Sequence, residues 1–279
     1  MDALTHHVSA WDGLPLVVRE WRDGDRLTSL LCLPGLVRTS LDFDTVARTH
    51  GAGRRVVSLD YPGRGGSGRS RDITRYGPEA CLGDVLDVCA ALHLHQVVTI
   101  GTSFGGLLSM GLAAARPGLI RAAVINDIGP EVGAGGSAFV REFVGHDPAL
   151  PSLAACVDWL RERLPPLSLT TDEDWRIMAE LTYAAGEDGC FHPLWDTRIA
   201  RLMDRPAPDL WPLFGALAHV PLLLIRGEAS NILLPDTVAR MRMQRPEMAE
   251  IALPGIGHAP TLAEPVVEAA LRAFLDRLP

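Results

Sequence analysis

Short apolar runs, many of them β-branched or leucine-rich, recur along the chain, and each is bounded by a turn signal. Leu14–Trp21 follows Asp12-Gly13. Ser29–Leu33 stops at Pro34-Gly35, Arg55–Leu59 at a glycine-rich stretch, and Gln96–Ile100 at Gly101. Ala122–Asn126 ends at Asp127-Ile128-Gly129-Pro130, Pro221–Ile225 at Arg226-Gly227, and Glu250–Leu253 at Pro254-Gly255. Runs this short and this apolar fit strands covered on both faces, as in a parallel sheet. Helical patterns lie between them. Pro78–Leu92 puts Cys81, Val85, Val88 and Leu92 on one face, with a proline suited to a first turn. Phe104–Ala115, Pro235–Met243 and Pro265–Leu278 give three more. The alternation predicts an α/β fold with a doubly wound, mostly parallel sheet.

Residues 132–215 break the rhythm. They show no buried-strand run, open on a flexible glycine-rich piece and continue with helix-like segments carrying Trp159, Trp175, Trp195 and Trp211. The stretch is too long for a loop. It reads as a helical insertion over the sheet or as further core helices.

With 279 residues, 47% of them apolar, the chain can bury a large core. Its net charge of -8 and lack of a basic block argue against nucleic-acid and anionic-membrane partners. All the basic residues are arginine, which excludes chemistry that needs a lysine. The cysteines (Cys32, Cys81, Cys89, Cys156 and Cys190) form no CxxC pair, so reduced thiols are expected rather than disulfides or a zinc site. The N-terminus lacks a signal-peptide pattern and no apolar run is long enough to span a membrane. A cytoplasmic protein without a metal or other cofactor is expected. A small-molecule partner is expected, and a homodimer is compatible with the sequence.

Gly101-Thr102-Ser103-Phe104-Gly105 matches G-x-S-x-G and sits directly between a strand and a helix. That context puts Ser103 on a sharp turn, its hydroxyl exposed at the C-terminal edge of the sheet beside free helix N–H groups. Small neighbours suit so tight a turn. A serine nucleophile needs a base. Of nine histidines, His258 stands apart: it follows a late strand in a glycine-rich loop, at the same sheet edge as Ser103. It is the candidate general base and acid.

The proline-glycine turn after one strand, GTSFG after a later one and GHAP near the end together resemble the α/β-hydrolase fold family over nearly the whole chain. The resemblance implies a serine hydrolase with its triad in the order Ser, acid, His. It also implies a helical cap inserted after the family's sixth strand, giving a core of residues 1–131 and 216–279 and a cap of residues 132–215. Asp60–Gly68 resembles the family's D-x-x-G-x-G-x-S stretch, which implies a loop shaped beneath the site. The family's oxyanion hole implies two backbone donors here, the N–H groups of Phe104 and Leu36. Pro34 stands where the family usually has histidine, but the Leu36 donor survives.

The acid is ambiguous. The family usually places it after the strand matching Pro221–Ile225, and the corresponding residue here is Asn231. Asparagine can accept from imidazole Nδ1–H but cannot neutralise an imidazolium, a change that can cost about 10⁴ in kcat. Three explanations are open. Asn231 is a substitution that slows the enzyme; or the acid comes from elsewhere, with Asp127 the best donor and Glu228 another; or the chain has drifted from hydrolysis. Asp127 also suits an Asx-turn.

Within the family it resembles, a serine nucleophile without a second glycine run implies a small or medium acyl compound as the target, a carboxylic ester, a lactone, or a carbon–carbon bond beside a ketone, all through the same Ser103 and His258. A non-catalytic ligand-binding role stays open because of Asn231. Phe139, Phe143, Trp175, Trp195 and Trp211 are candidate walls of an apolar pocket, or ordinary core. Arg38 is a candidate partner for a substrate carboxylate, or a surface arginine.

Overall fold

A computed structural model describes residues 2–204 and 208–278 of the chain; residues 205–207 of the expected insertion lie outside the described residues. The strands are β1 (Leu4–Ser9), β2 (Pro15–Arg22), β3 (Leu30–Leu33), β4 (Arg55–Leu59), β5 (Val97–Thr102), β6 (Ile120–Asn126), β7 (Tyr183–Ala185), β8 (Phe191–Pro193), β9 (Leu222–Gly227) and β10 (Ala249–Leu253). Eight of them form one sheet in the order β1-β2-β4-β3-β5-β6-β9-β10. From β4 to β10 every pairing is parallel; β2 and β1 add an antiparallel edge.

Alternate side chains divide between two cores, as the pleat requires. On one face Leu31, Leu33, Val57, Ile125 and Leu224 pack with residues of α2 (Pro78–Ala91), α3 (Phe104–Ala115) and α8 (Pro235–Gln244). On the other, Leu30, Cys32, Val56, Ile100, Val124 and Ile225 pack with α1 (Asp44–His50) and α9 (Pro265–Leu275). Covering both faces is what makes the central strands continuously apolar. β1 escapes the apolar-run pattern because it is a half-exposed edge strand, Leu-Thr-His-His-Val-Ser, whose His6 meets Glu20 at 2.9 Å.

Between β6 and β9 the chain forms α4 (Ala134–Gly145), α5 (Leu153–Arg163), α6 (Asp172–Glu180), α7 (Trp211–Gly215), a 3₁₀ segment over Thr197–Asp204 and the β7–β8 hairpin. The hairpin adds two strands to a stretch expected to be helical; they are three residues each and mostly not buried, so no buried-strand run marks them in the sequence. Cys156, Leu160, Ala179 and Tyr183 give this segment a small core of its own. α7 stands apart from it, since Trp211 and Phe214 pack in the main core with α3. Among the described residues, no helix is long and apolar enough to cross a membrane.

The serine turn depends on close backbone approach. A Cβ at Gly101 would lie 2.4 Å from the Gly105 carbonyl oxygen, and one at Gly105 would lie 1.9 Å from the Leu33 carbonyl oxygen. Only glycine lets α3 start that close to β3 and β5. Gly105→Ala is therefore expected to destabilise the protein at the upper end of overpacking costs, about 3 kcal/mol, read as a lowered urea midpoint.

Candidate active site

Parallel register sets the site. Leu33 pairs with Gly101, and Thr102 with Asn126, so the C-terminal ends of β3, β5 and β6 finish side by side. One residue beyond Thr102 and Asn126 stand Ser103 and Asp127. Both have positive φ, 52° and 56°, a region that costs a non-glycine residue energy and persists only where the surroundings enforce it. The enforcing bonds are visible. Ser103 N–H donates to Asn126 O at 2.8 Å, and Asp127 N–H donates to Ile225 O at 2.8 Å.

His258 lies in the loop after β10 and joins them. Its Nε2 is 2.9 Å from Ser103 Oγ, and its Nδ1 is 2.8 Å from Asp127 Oδ2. A carboxylate can only accept, so Nδ1 carries the proton, and Nε2 is left to accept from the serine hydroxyl. Asp127 is fully buried, and its second oxygen accepts the Gly227 N–H at 3.0 Å. This arrangement can draw a proton from Ser103 and stabilise the resulting imidazolium.

Asn231 is not part of the relay. It is exposed, and its carbonyl oxygen lies against Gly133 and Gly136 at the start of α4, where added Cβ atoms would come within 2.3 and 2.4 Å. The position facing Nδ1 belongs to Asp127 because β6 ends in register with β5, while the chain after β9 turns away through Ser230, whose Oγ accepts from the Ile232 and Leu233 N–H groups. Glu228 is also exposed.

The two residues expected to supply oxyanion donors, Leu36 and Phe104, both carry free backbone N–H groups. Phe104 opens α3 directly after Ser103, and among the described residues neither N–H has a protein acceptor. The loop carrying Leu36 reaches Thr102: a Cβ on Gly35 would be 3.9 Å from its carbonyl oxygen. Arg38 is already engaged. Its Nε and Nη2 donate to Asp42 at 2.6 and 2.7 Å and its Nη1 to Thr182 Oγ1 at 2.6 Å, so it ties this loop to the segment between β6 and β9.

The aromatic candidates separate. Phe139 stacks on Phe143 at 6.1 Å, and Phe143 stacks on Trp195 at 5.7 Å. Trp195 is buried, its indole N–H donating to Val144 O, in a cluster that Leu36, Val37 and Val140 also touch. Trp175 packs in the insertion's own core with the Arg161 guanidinium 5.6 Å from its ring centre. Trp211 belongs to the main core, its indole N–H held by Glu131.

Sequence reasoning does not single out Asn126. Its Nδ2 donates to Thr102 Oγ1 at 3.1 Å and to Pro260 O at 2.8 Å, linking the serine strand to the histidine loop. The available signal is an asparagine closing the apolar run Ala122–Ile125. Burial pushes the thiols of Cys81 and Cys156 up to about 11, which keeps them protonated and unreactive. Among the described residues no group of three or more histidine, cysteine or acidic side chains could hold a metal ion.

The sequence profile of the alpha/beta hydrolase family matches residues 30–271. This chain belongs to the alpha/beta hydrolase family. The hydrolase is 31% identical over 261 residues to the 3-hydroxybutyrate-oligomer hydrolase of Cupriavidus necator, a match covering 90% of this chain and 89% of that one. It is 25% identical over 240 residues to the N-formylmaleamate deformylase of Pseudomonas putida, covering 85% and 84%. Among solved structures, an alpha/beta hydrolase from Novosphingobium aromaticivorans superposes with a TM-score of 0.92 at 37% identity over 99% of both chains.

The hydrogen bond at Nδ1 is open to direct measurement. Proton NMR is expected to show a far-downfield His258 Nδ1 resonance that vanishes in Asp127→Asn and survives in Asn231→Asp. A signal that survives in Asp127→Asn and moves further downfield in Asn231→Asp would place the Nδ1 partner at position 231.

Proposed function

We propose that this hydrolase cleaves carboxylic esters through an acyl-serine intermediate. The observation that carries the reading is the relay of 2.9 Å and 2.8 Å from Ser103 through His258 to a fully buried Asp127. His258 Nε2 takes the Ser103 proton as Oγ attacks the ester carbonyl. Asp127 holds the ring and offsets the imidazolium charge. The N–H groups of Leu36 and Phe104 receive the oxyanion, each donor in such a site being worth about 2.7–4 kcal/mol. Collapse expels the alcohol with the proton from His258. Water then enters by the same route and releases the acid, restoring Ser103.

In this reading the segment over α4–α6 and the β7–β8 hairpin is a cap. Its Phe139 and Phe143, with Leu36 and Val37, make an apolar wall for the acyl group. A 3-hydroxybutyrate oligomer, whose units are joined by ester bonds, is the first natural substrate to test, given the likeness to the Cupriavidus necator hydrolase. Lactones, which are cyclic esters, suit the same chemistry.

A p-nitrophenyl ester is expected to give a burst of nitrophenol equal to the enzyme present, and Ser103→Ala to abolish it. Asp127→Asn is expected to lower kcat by about 10⁴. Asn231→Asp is expected to change kcat by less than about threefold, because position 231 lies outside the relay. Turnover of vinylogous diketones with none of esters would replace this reading with carbon–carbon bond cleavage. Ligand binding with no turnover of either would replace it with a binding role.

A further inference from the structure

Arg64, in the loop between β4 and α2, is 1% exposed and makes no ion pair among the described residues. Its Nε donates to Leu36 O at 2.8 Å and its Nη1 to Pro62 O at 2.7 Å, while Nη2 is buried with no hydrogen-bond partner. Three aromatic rings enclose the guanidinium, with centres 5.6 Å (Tyr61), 5.7 Å (Phe104) and 5.9 Å (Tyr76) from Cζ. Arginine keeps its charge in such surroundings. An unpaired buried cation is costly, and aromatic faces offset only part of that cost.

The cation touches the two residues that carry the free N–H groups beside Ser103. It meets Leu36 through the carbonyl and Phe104 through the ring. Leu36 stands in a four-residue turn closed by Arg38 N–H donating to Gly35 O at 3.1 Å. Leu36 is the second residue of that turn, and the turn's own bond leaves its carbonyl free. The bond from Arg64 Nε to Leu36 O pins that carbonyl, and through it the residue whose N–H faces the other way. The main chain of Arg64 is held in turn by the inserted segment: Gly65 N–H donates to Leu194 O at 2.7 Å, and Asp196 N–H donates to Gly63 O at 2.8 Å.

We propose that Arg64 is the positioning residue of the oxyanion site, locking the Leu36 turn against Phe104 so that both N–H donors stay at one spacing. This rests on Ser103 being an acylated nucleophile. Misplacing a donor costs transition-state binding but leaves the substrate's ground-state contacts in place.

The test compares wild type, Ser103→Ala, Arg64→Met and Arg64→Lys with p-nitrophenyl butyrate and with a trifluoromethyl ketone that forms a hemiketal on the serine. Methionine removes an unpaired buried cation but also leaves the Leu36 and Pro62 carbonyls without that donor, two opposing effects on stability, so the variant's melting temperature is measured beside its kinetics. Its kcat is expected to fall about tenfold to a hundredfold with KM changed less than about threefold, and its affinity for the ketone to fall by the same factor as kcat. A residue that only supported the fold would change the melting temperature without that parallel loss. If Arg64→Met does not fold, Arg64→Lys carries the comparison. It keeps the charge but cannot reach both carbonyls, and a drop in kcat of about fivefold or more at constant KM supports the proposal. Wild-type kcat and ketone affinity in the folded variant, or a rise in KM with kcat intact, would overturn it while leaving the esterase reading standing. Absence of a Ser103-dependent burst in wild type would overturn both.

Discussion

The pairing of Thr102 with Asn126 is the constraint on which the site depends. Parallel strands in register end together, and here each passes at once into a residue with positive φ. The two residues are thereby thrust out at the same sheet edge as neighbours, one a hydroxyl and the other a carboxylate. A single imidazole can then bridge them. The cost of two strained backbones is met by the surrounding ladder: Asn126 O accepts from Ser103, Ile225 O accepts from Asp127, and Gly227 N–H caps the free carboxylate oxygen. No loop could hold these groups to hydrogen-bonding distance with comparable rigidity.

Around that edge the polar contacts act mainly to fix loops to one another. Asp60 accepts from the Ser40 and Gly66 N–H groups and so joins the loop after β4 to the chain that follows the Leu36 turn. Asn126 holds the histidine loop through Pro260. The segment between β6 and β9 is clasped at the same edge, with Gly257 N–H donating to Pro166 O at 2.7 Å and Ser168 donating to Glu264, which also accepts the Thr261 N–H at 2.8 Å. The segment therefore touches the loop after β3 through Arg38 and the histidine loop through Pro166. Any movement of it would be felt at both.

Legibility in the sequence followed the range of the interaction. The central strands could be read because burial on both faces leaves an unbroken apolar run, whereas β1, wetted on one side, carries two histidines and no such run. Ser103 could be read because strand, turn and helix adjoin it directly, and His258 because glycines flank it after a late strand. The role open to Arg38 could not be read. Its partners are Asp42, close along the chain, and Thr182, which only folding brings near. Trp211 looked like its fellow tryptophans in composition, yet it packs with α3 in the main core.

The order of residues by itself determined the layered α/β architecture, the serine turn and the histidine loop, since these arise from hydrophobic spacing and backbone sterics within a few residues. Which carboxylate stands behind the histidine was decided only in three dimensions. Asp127 and Asn231 both follow strand ends and look equivalent along a line. Asp127 and His258 are 131 positions apart, and only strand register and burial bring that oxygen, rather than the Asn231 side chain, to 2.8 Å from Nδ1.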